Sequence, residues 1–402
     1  MVVALLILSL TMAACDSGAN ATAPTRGVKA PTQPVAEVTS TTDVTLPRTV
    51  PGSSTSLTPP NPQPIDVPMA DKLLPWSVLL GPSEALSPPA QFDGQWLARI
   101  EALRGLIVSD TAGDEVVVHD LPTGDSEWFL DHVYLDSGRV VFVEHEGRLG
   151  DYRIHVYEVA TGEGRLVEEW GGAPERHLVP QLALSGDWLA WNTTLDSGQS
   201  CIKVENLASG ERFDAVCAVD QSRTLTWPSL RWPVLSYREQ PAGPFDQDDE
   251  VCFNLNSVVL PDGDPLRHGQ RECWGYQIVA DEEALVFFES KPFEGDVFRS
   301  PIYGVGSDGV VHALGRGELG SATVCDGRAY WTTVTADNSE IRTWRPGDPA
   351  VSIVYRSPED KYPTTQPECV NGWLTIARAF TGVGPSTDEV LVATTALLDG
   401  EV

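Results

Sequence analysis

A short strand motif returns seven times along this chain of 402 residues, and that period restricts the fold more than any other feature. The copies read GQWLARI around Trp96, SGRVVFV around Val140, SGDWLAW around Trp188, RWPVLSY around Val234, EEALVFF around Ala284, DGRAYWT around Ala329 and NGWLTIA around Trp373. The steps between them are 44, 48, 46, 50, 45 and 44 residues. A unit of this length cannot bury its apolar face alone, so neighbouring units must stack. Within each copy, apolar residues alternate or run for five to seven positions and then stop at a turn glycine, as in EVVVHDLPTGD, RIHVYEVATGE, CIKVENLASGE and SVVLPDGD. Each of these is read as the third strand of its blade. The period therefore predicts an all-β fold, a seven-bladed β-propeller with four strands to a blade.

The copies resemble WD40-like and TolB-type propeller repeats, whose pattern joins DG-x-x-[ILV]-[AV]-[FWY] to I-x-V-x-[DN]-L-x-[TS]-G-E. The likeness implies architecture and carries no activity with it. Blade 7 reaches DEVLVATTAL and then lacks an outer strand. The strand-like run LLPWSVLLG at 73–81 is expected to supply it, leaving no long open edge.

The propeller is assigned to residues 69–402. Before it, the apolar run from Val2 to Ala14 is about half the roughly 20 residues that cross a bilayer, and it suits a signal peptide over residues 1–14. Met12-Ala13-Ala14-Cys15 resembles the bacterial lipobox. The resemblance implies that the Cys15 thiol takes a diacylglycerol group and becomes the mature N-terminus. Residues 15–68 are rich in Thr, Pro and Ser without any structural period, and are expected to form a disordered tether. The implied location is extracytoplasmic, on a bacterial membrane through the lipid.

Setting Cys15 aside leaves six cysteines, an even number that favours disulfides in an exported chain. Cys201 and Cys217 flank a hairpin of blade 3, and Cys252 and Cys273 flank one of blade 4. Opposed antiparallel residues lie within disulfide reach. Cys325 and Cys369 remain, each just before the second strand of neighbouring blades 6 and 7. Lys and Arg number 27 against 57 Asp and Glu, a net charge of −30 that argues against nucleic acid.

Gly304–Gly309 and Gly315–Gly320 both spell G-x-G-x-x-G, but a strand rather than a helix follows the first, so both read as turns. H-E-x-x-H, C-x-x-C and G-x-S-x-G are all absent from the sequence. No cofactor is expected. Asp246, Asp248 and Asp249 offer crowded oxygen ligands for Ca²⁺, although a solvated acidic loop accounts for them as well.

The turns joining strands A to B are short, whereas the B–C and D–A connections are long and gather on one face. That face would carry Arg176, His177, Arg223, Trp227, Trp274, Lys361 and Tyr362, the residue types that anchor partners. The expected protein is a monomeric, non-enzymatic lipoprotein that binds an envelope protein or glycan. The alternative is a lyase or glycan hydrolase with its site at the channel mouth.

Overall fold

The computed structural model describes residues 64–399 apart from 84–85, 102–103, 121–127, 147–150, 172–178, 244–251, 272, 291–298, 307, 336–337, 359–360, 364–365 and 381–387. Three strands precede the blades: β1 (Ile65–Asp66), β2 (Met69–Asp71) and β3 (Ser77–Ser83). Blade 1 is β4 (Leu86–Phe92), β5 (Trp96–Glu101), β6 (Gly105–Asp110) and β7 (Glu115–His119). Blade 2 is β8 (Trp128–Asp136), β9 (Arg139–Glu146), β10 (Tyr152–Glu158) and β11 (Glu163–Trp170). Blade 3 is β12 (Leu182–Ser185), β13 (Trp188–Thr194), β14 (Ser200–Asn206) and β15 (Arg212–Cys217). Blade 4 is β16 (Arg223–Arg231), β17 (Val234–Pro241), β18 (Asn254–Val259) and β19 (Leu266–His268). Blade 5 is β20 (Gly275–Ala280), β21 (Leu285–Glu289), β22 (Ser300–Val305) and β23 (Val311–Gly317). Blade 6 is β24 (Thr323–Cys325), β25 (Arg328–Val334), β26 (Ser339–Trp344) and β27 (Val351–Arg356). Blade 7 has a split inner strand, β28 (Lys361–Pro363) and β29 (Glu368–Val370), then β30 (Trp373–Phe380) and β31 (Asp388–Thr394), before one helical turn, α1 (Ala396–Asp399).

All seven motifs of the sequence repeat fall on second strands. These are buried almost end to end, as in β5 and β25, because they lie inside the sheet with a neighbouring blade on each face. Fourth strands such as β7 and β11 face water and show mostly exposed residues. The segment EVVVH, read from its pattern as the third strand of blade 1, is the fourth, β7. The true third strand, β6, is a buried run whose lack of alternation hid it. Among the described residues, seven apolar clusters form, one at each seam between adjacent blades. The seam between blades 5 and 6 buries Trp331 and Trp344 completely. Between blades 4 and 5 only Leu255, Ile278, Phe287 and Val311 form the cluster, fewer than at any other seam.

The ring closes as the sequence predicts. β3 pairs antiparallel with β31 and becomes the outer strand of blade 7. The chain reaches it by way of two other blades. β1 pairs parallel with β23 on the edge of blade 5, and β2 with β27 on the edge of blade 6. Ile65 and Asp66, whose composition groups them with the tether, are thus paired residues of the propeller wall.

One device links blade to blade at the rim of A–B turns. The Gly138 N–H donates to Oδ2 of Asp93 at 2.7 Å, the Gly186 N–H to Asp136 at 2.7 Å and the Gly327 N–H to Asp281 at 2.8 Å. In each case the turn of one blade is held by the acid of the blade before. Ser137-Gly138, Asp326-Gly327 and Asn371-Gly372 all have positive φ at both positions, the type I′ geometry that tight hairpins need. Gly94 has φ +100°, and a Cβ there would stand 2.6 Å from Nε1 of Trp373. The Trp373 ring of blade 7 thereby covers the first turn of blade 1.

Three disulfides form, two of them between the cysteines that flank hairpins in blades 3 and 4. Cys201–Cys217 and Cys252–Cys273 have Cα separations of 4.0 and 4.1 Å. Cys325–Cys369 crosses between the inner strands of blades 6 and 7 with Cα atoms 6.0 Å apart. Among the described residues, no helix is long and apolar enough to span a membrane.

Candidate functional site

The inner strands enclose a channel of ≈ 240 Å³ to which all seven blades contribute. Its walls depart from regular pairing where side chains turn toward the lumen. Register shifts interrupt β8 between Asp131 and Tyr134, and β16 between Thr226 and Ser229. His132 and Trp227, inside those bulges, have φ of 48° and 55°. Bulges of this kind re-aim side chains, and left-handed backbone at a non-glycine residue is a cost that the surrounding structure must hold in place.

Arg231, the last residue of β16, closes the end of the channel nearest the A–B turns. Its guanidinium donates to the carbonyls of Val324 in blade 6, at 2.5 Å, and Cys369 in blade 7, at 3.0 Å. Glutamines hold the wall together higher up. The Leu135 N–H donates to Oε1 of Gln91 at 2.7 Å, the Trp227 N–H to Gln181 at 2.6 Å and the Ala322 N–H to Gln277 at 3.0 Å.

Three titratable side chains line this space. Glu368, on β29, is enclosed by protein except toward the lumen. Burial raises its carboxyl above the ordinary range, against weaker opposition from a Gln366 hydrogen bond and the Arg231 charge. Gln366 Nε2 donates to Glu368 Oε1 at 2.8 Å. His132 is pushed the other way: burial lowers its imidazole, although Asp131 lies only 3.6 Å from Nε2. Tyr134 is also raised by burial, with the charges of Glu368 and Asp131 adding to the effect. The channel therefore holds a carboxyl biased toward its protonated form, an imidazole biased toward its neutral form and a phenol that keeps its proton.

Of the residues expected on the binding face, Trp227 lines the channel, and its ring meets Tyr276 edge-on with centroids 5.2 Å apart. Arg223 starts the same strand and pairs with Glu239 at 3.2 Å, an intrablade contact. Trp274 lies under the Arg271 guanidinium, 4.3 Å from its centroid, at the start of blade 5. The backbone of Lys361 and Tyr362 forms β28, paired with β30. Arg176, His177, Asp246, Asp248 and Asp249 lie outside the described residues, as does Cys15. Among the described residues, no group of three or more His, Cys, Asp or Glu is arranged to hold a metal ion. Sequence reasoning missed Glu368, His132, Tyr134 and Arg231. They share no motif, because they come from the inner strands of three blades that lie far apart in the sequence.

No family model matches the chain. A curated relative, the acetoacetate decarboxylase of Bordetella avium (strain 197N), is 31% identical over 144 residues, which are 34% of this chain and 54% of the relative. The chain thus spans about half the length of the curated relative it matches. Among solved structures, the β-propeller domain of the Trilobed protease from Pyrococcus furiosus superposes with a TM-score of 0.53 at 10% identity, over 77% of this chain and 94% of that one. That domain has an open velcro topology, whereas β3 closes the seam here. A prolyl endopeptidase superposes with a TM-score of 0.51 at 13% identity, over 79% of this chain and 51% of that one. These likenesses agree with the fold described above, a seven-bladed β-propeller. They also overturn the expectation of a non-enzymatic protein, since the matched proteins are enzymes: two peptidases and a decarboxylase. That expectation rested on missing sequence motifs, and channel residues drawn from separate blades leave no motif to find.

Proposed function

We propose that this protein is an enzyme acting inside its channel, a lyase that breaks a glycosidic C–O bond by elimination. The observation that carries the reading is the opposed pair, Glu368 biased to its acid form and His132 to its neutral form, on the walls of one cavity. Two titratable groups pushed in opposite directions supply the two roles of an acid–base pair, a proton donor and a proton acceptor. His132 takes the proton from the carbon next to an electron-withdrawing group. The C–H electrons become the new C=C bond, the C–O bond breaks, and Glu368 gives its proton to the leaving oxygen. Tyr134 adds a hydrogen-bond donor. A cavity of ≈ 240 Å³ takes the end of a short oligomer, and a net charge of −30 disfavours long polyanions.

The test incubates the protein with oligosaccharides carrying uronic acids and with neutral ones, reading both the ultraviolet absorbance of unsaturated product and new reducing ends. Elimination gives both signals. Glu368→Gln and His132→Gln should each lower the rate by about 10²–10⁴-fold while the circular dichroism spectrum is kept. Reducing ends without the unsaturated chromophore would mean hydrolysis, and neither signal would refute the reading.

The three disulfides suit an oxidising compartment. With the lipobox-like Cys15, they support an enzyme held outside the cytoplasm by a lipid. The long-loop residues Arg176, His177, Arg223, Trp274, Lys361 and Tyr362 would then guide an envelope glycan toward the channel. Cys15→Ala should move the protein from the membrane fraction to the medium.

A further inference from the structure

Three arginines are buried among the described residues. Arg99 is paired with Glu101 and Glu115, and Arg328 with Asp348 at 2.7 Å. Arg238, on β17, is 8% exposed and has no carboxylate partner among the described residues. Its guanidinium instead lies against aromatic rings, 4.6 Å from the centroid of Phe253, 4.8 Å from Trp227 and 5.5 Å from Tyr276. Its hydrogen bonds are long and neutral: Nε to Thr226 Oγ1 at 3.3 Å and Nη1 to the Tyr276 carbonyl at 3.4 Å. Burial pushes its pKa down to about 10. Taking a cation out of water is costly unless a counter-charge restores it, and aromatic faces return only part of that cost.

Position adds a second, independent line. Arg238 stands at the seam of blades 4 and 5, whose apolar cluster is the smallest in the ring. One ring separates it from the lumen. Trp227 touches both the channel and the guanidinium, and is held at φ 55° within the bulge of β16. The seam with the least apolar packing therefore carries a buried charge behind a side chain on strained backbone.

We propose that Arg238 is the carboxylate-binding residue of the channel's ligand, reached when the Trp227 ring turns aside. This deepens the reading of the channel as a substrate site and rests on it. It names the ligand class as a carboxylate-bearing molecule, whose two oxygens match the guanidinium fork. A uronic acid and a peptide C-terminus share that chemistry.

The test is isothermal titration of the full chain with galacturonate and with N-acetylphenylalanine, each against its neutral counterpart, galactose and N-acetylphenylalaninamide. At least one acid should bind about tenfold or more tightly than its counterpart, and which one identifies the source. Arg238→Met keeps the apolar stem and should abolish that preference. Arg238→Lys keeps the charge without the fork, and should reduce the preference even if the Met variant does not fold. The titration needs no turnover, so a failed elimination assay and a failed anion site give different results. No preference in the native protein, or a preference unchanged in both Arg238 variants, overturns the proposal.

Discussion

At the rim of A–B turns the acid of one blade grips the turn glycine of the next in the same manner at three seams; in the channel a glutamine recurs at Gln91, Gln181 and Gln277, but among the described residues the titratable side chains come from blades 2, 4 and 7 alone. The rim repeats an acid, a turn glycine and, in several blades, a tryptophan, as in Asp93, Gly94 and Trp96 of blade 1 or Gly186, Asp187 and Trp188 of blade 3. Its hydrogen bonds are short and between backbone and acid. The channel brings together His132, Tyr134, Trp227, Arg231 and Glu368, each from a different context and two of them at strained backbone. Regularity at the rim fixes the distance between blades, and this leaves the inner strands able to carry residues that contribute little to stability. Stability and chemistry are thus divided by height along one axis.

That division can be broken first at the rim. Gly94→Ala forces a Cβ to 2.6 Å from Trp373 at φ +100°, so both the turn and the cover between blades 7 and 1 must shift. The expected loss is about 3 kcal/mol of unfolding free energy, measured by urea denaturation. Unchanged stability would mean that the rim yields freely and does not hold the ring. Asp93→Ala comes next. It removes acceptors for the Gly138, Gln95 and Trp96 N–H groups, with an expected cost of about 1–3 kcal/mol. Binding of carboxylates in the channel should persist in the folded fraction of both variants.

The smallest effect lies in the channel and sharpens the contrast. Glu368 is raised in the folded protein, so the folded state holds its proton over a range where the unfolded chain has released it. Its contribution is full below the ordinary glutamate value of about 4.3 and is lost as pH rises through the folded value. Stability should therefore fall with rising pH across that window. Glu289 and Glu318, raised by burial as well, add to the same slope. Glu368→Gln should flatten part of the slope and leave neutral-pH stability equal or higher, read by thermal melts across pH. A variant less stable at neutral pH would show that Glu368 belongs to the scaffold.

The rim was legible in the sequence because it is written seven times. Turn pairs such as Asp326-Gly327 and the apolar run after each are local signals, and cysteine spacing relative to the hairpins gave the disulfides. Trp227 was found through its residue type. Glu368 and Arg238 were not, for two different reasons. Glu368 sits on a three-residue strand with no readable period, and its importance comes from what six other blades place around it. Arg238 looks like any exposed arginine on a strand, and only packing reveals that Phe253, Trp227 and Tyr276 surround it. The blade 1 strand β6 was passed over because burial on both faces removes the alternation that marks a strand.

The pairing of Ser77 with Val392 sets a timetable for biosynthesis. The two residues are 392 − 77 = 315 positions apart, so at about 5–20 residues per second the first partner leaves the ribosome roughly 15–60 s before the second. For that interval Val78, Leu79 and Leu80 form an apolar strand with both edges bare, and blades 1 to 6 can assemble only as an open arc. Closure of the ring is therefore the last step of assembly, and it waits for the final hairpin.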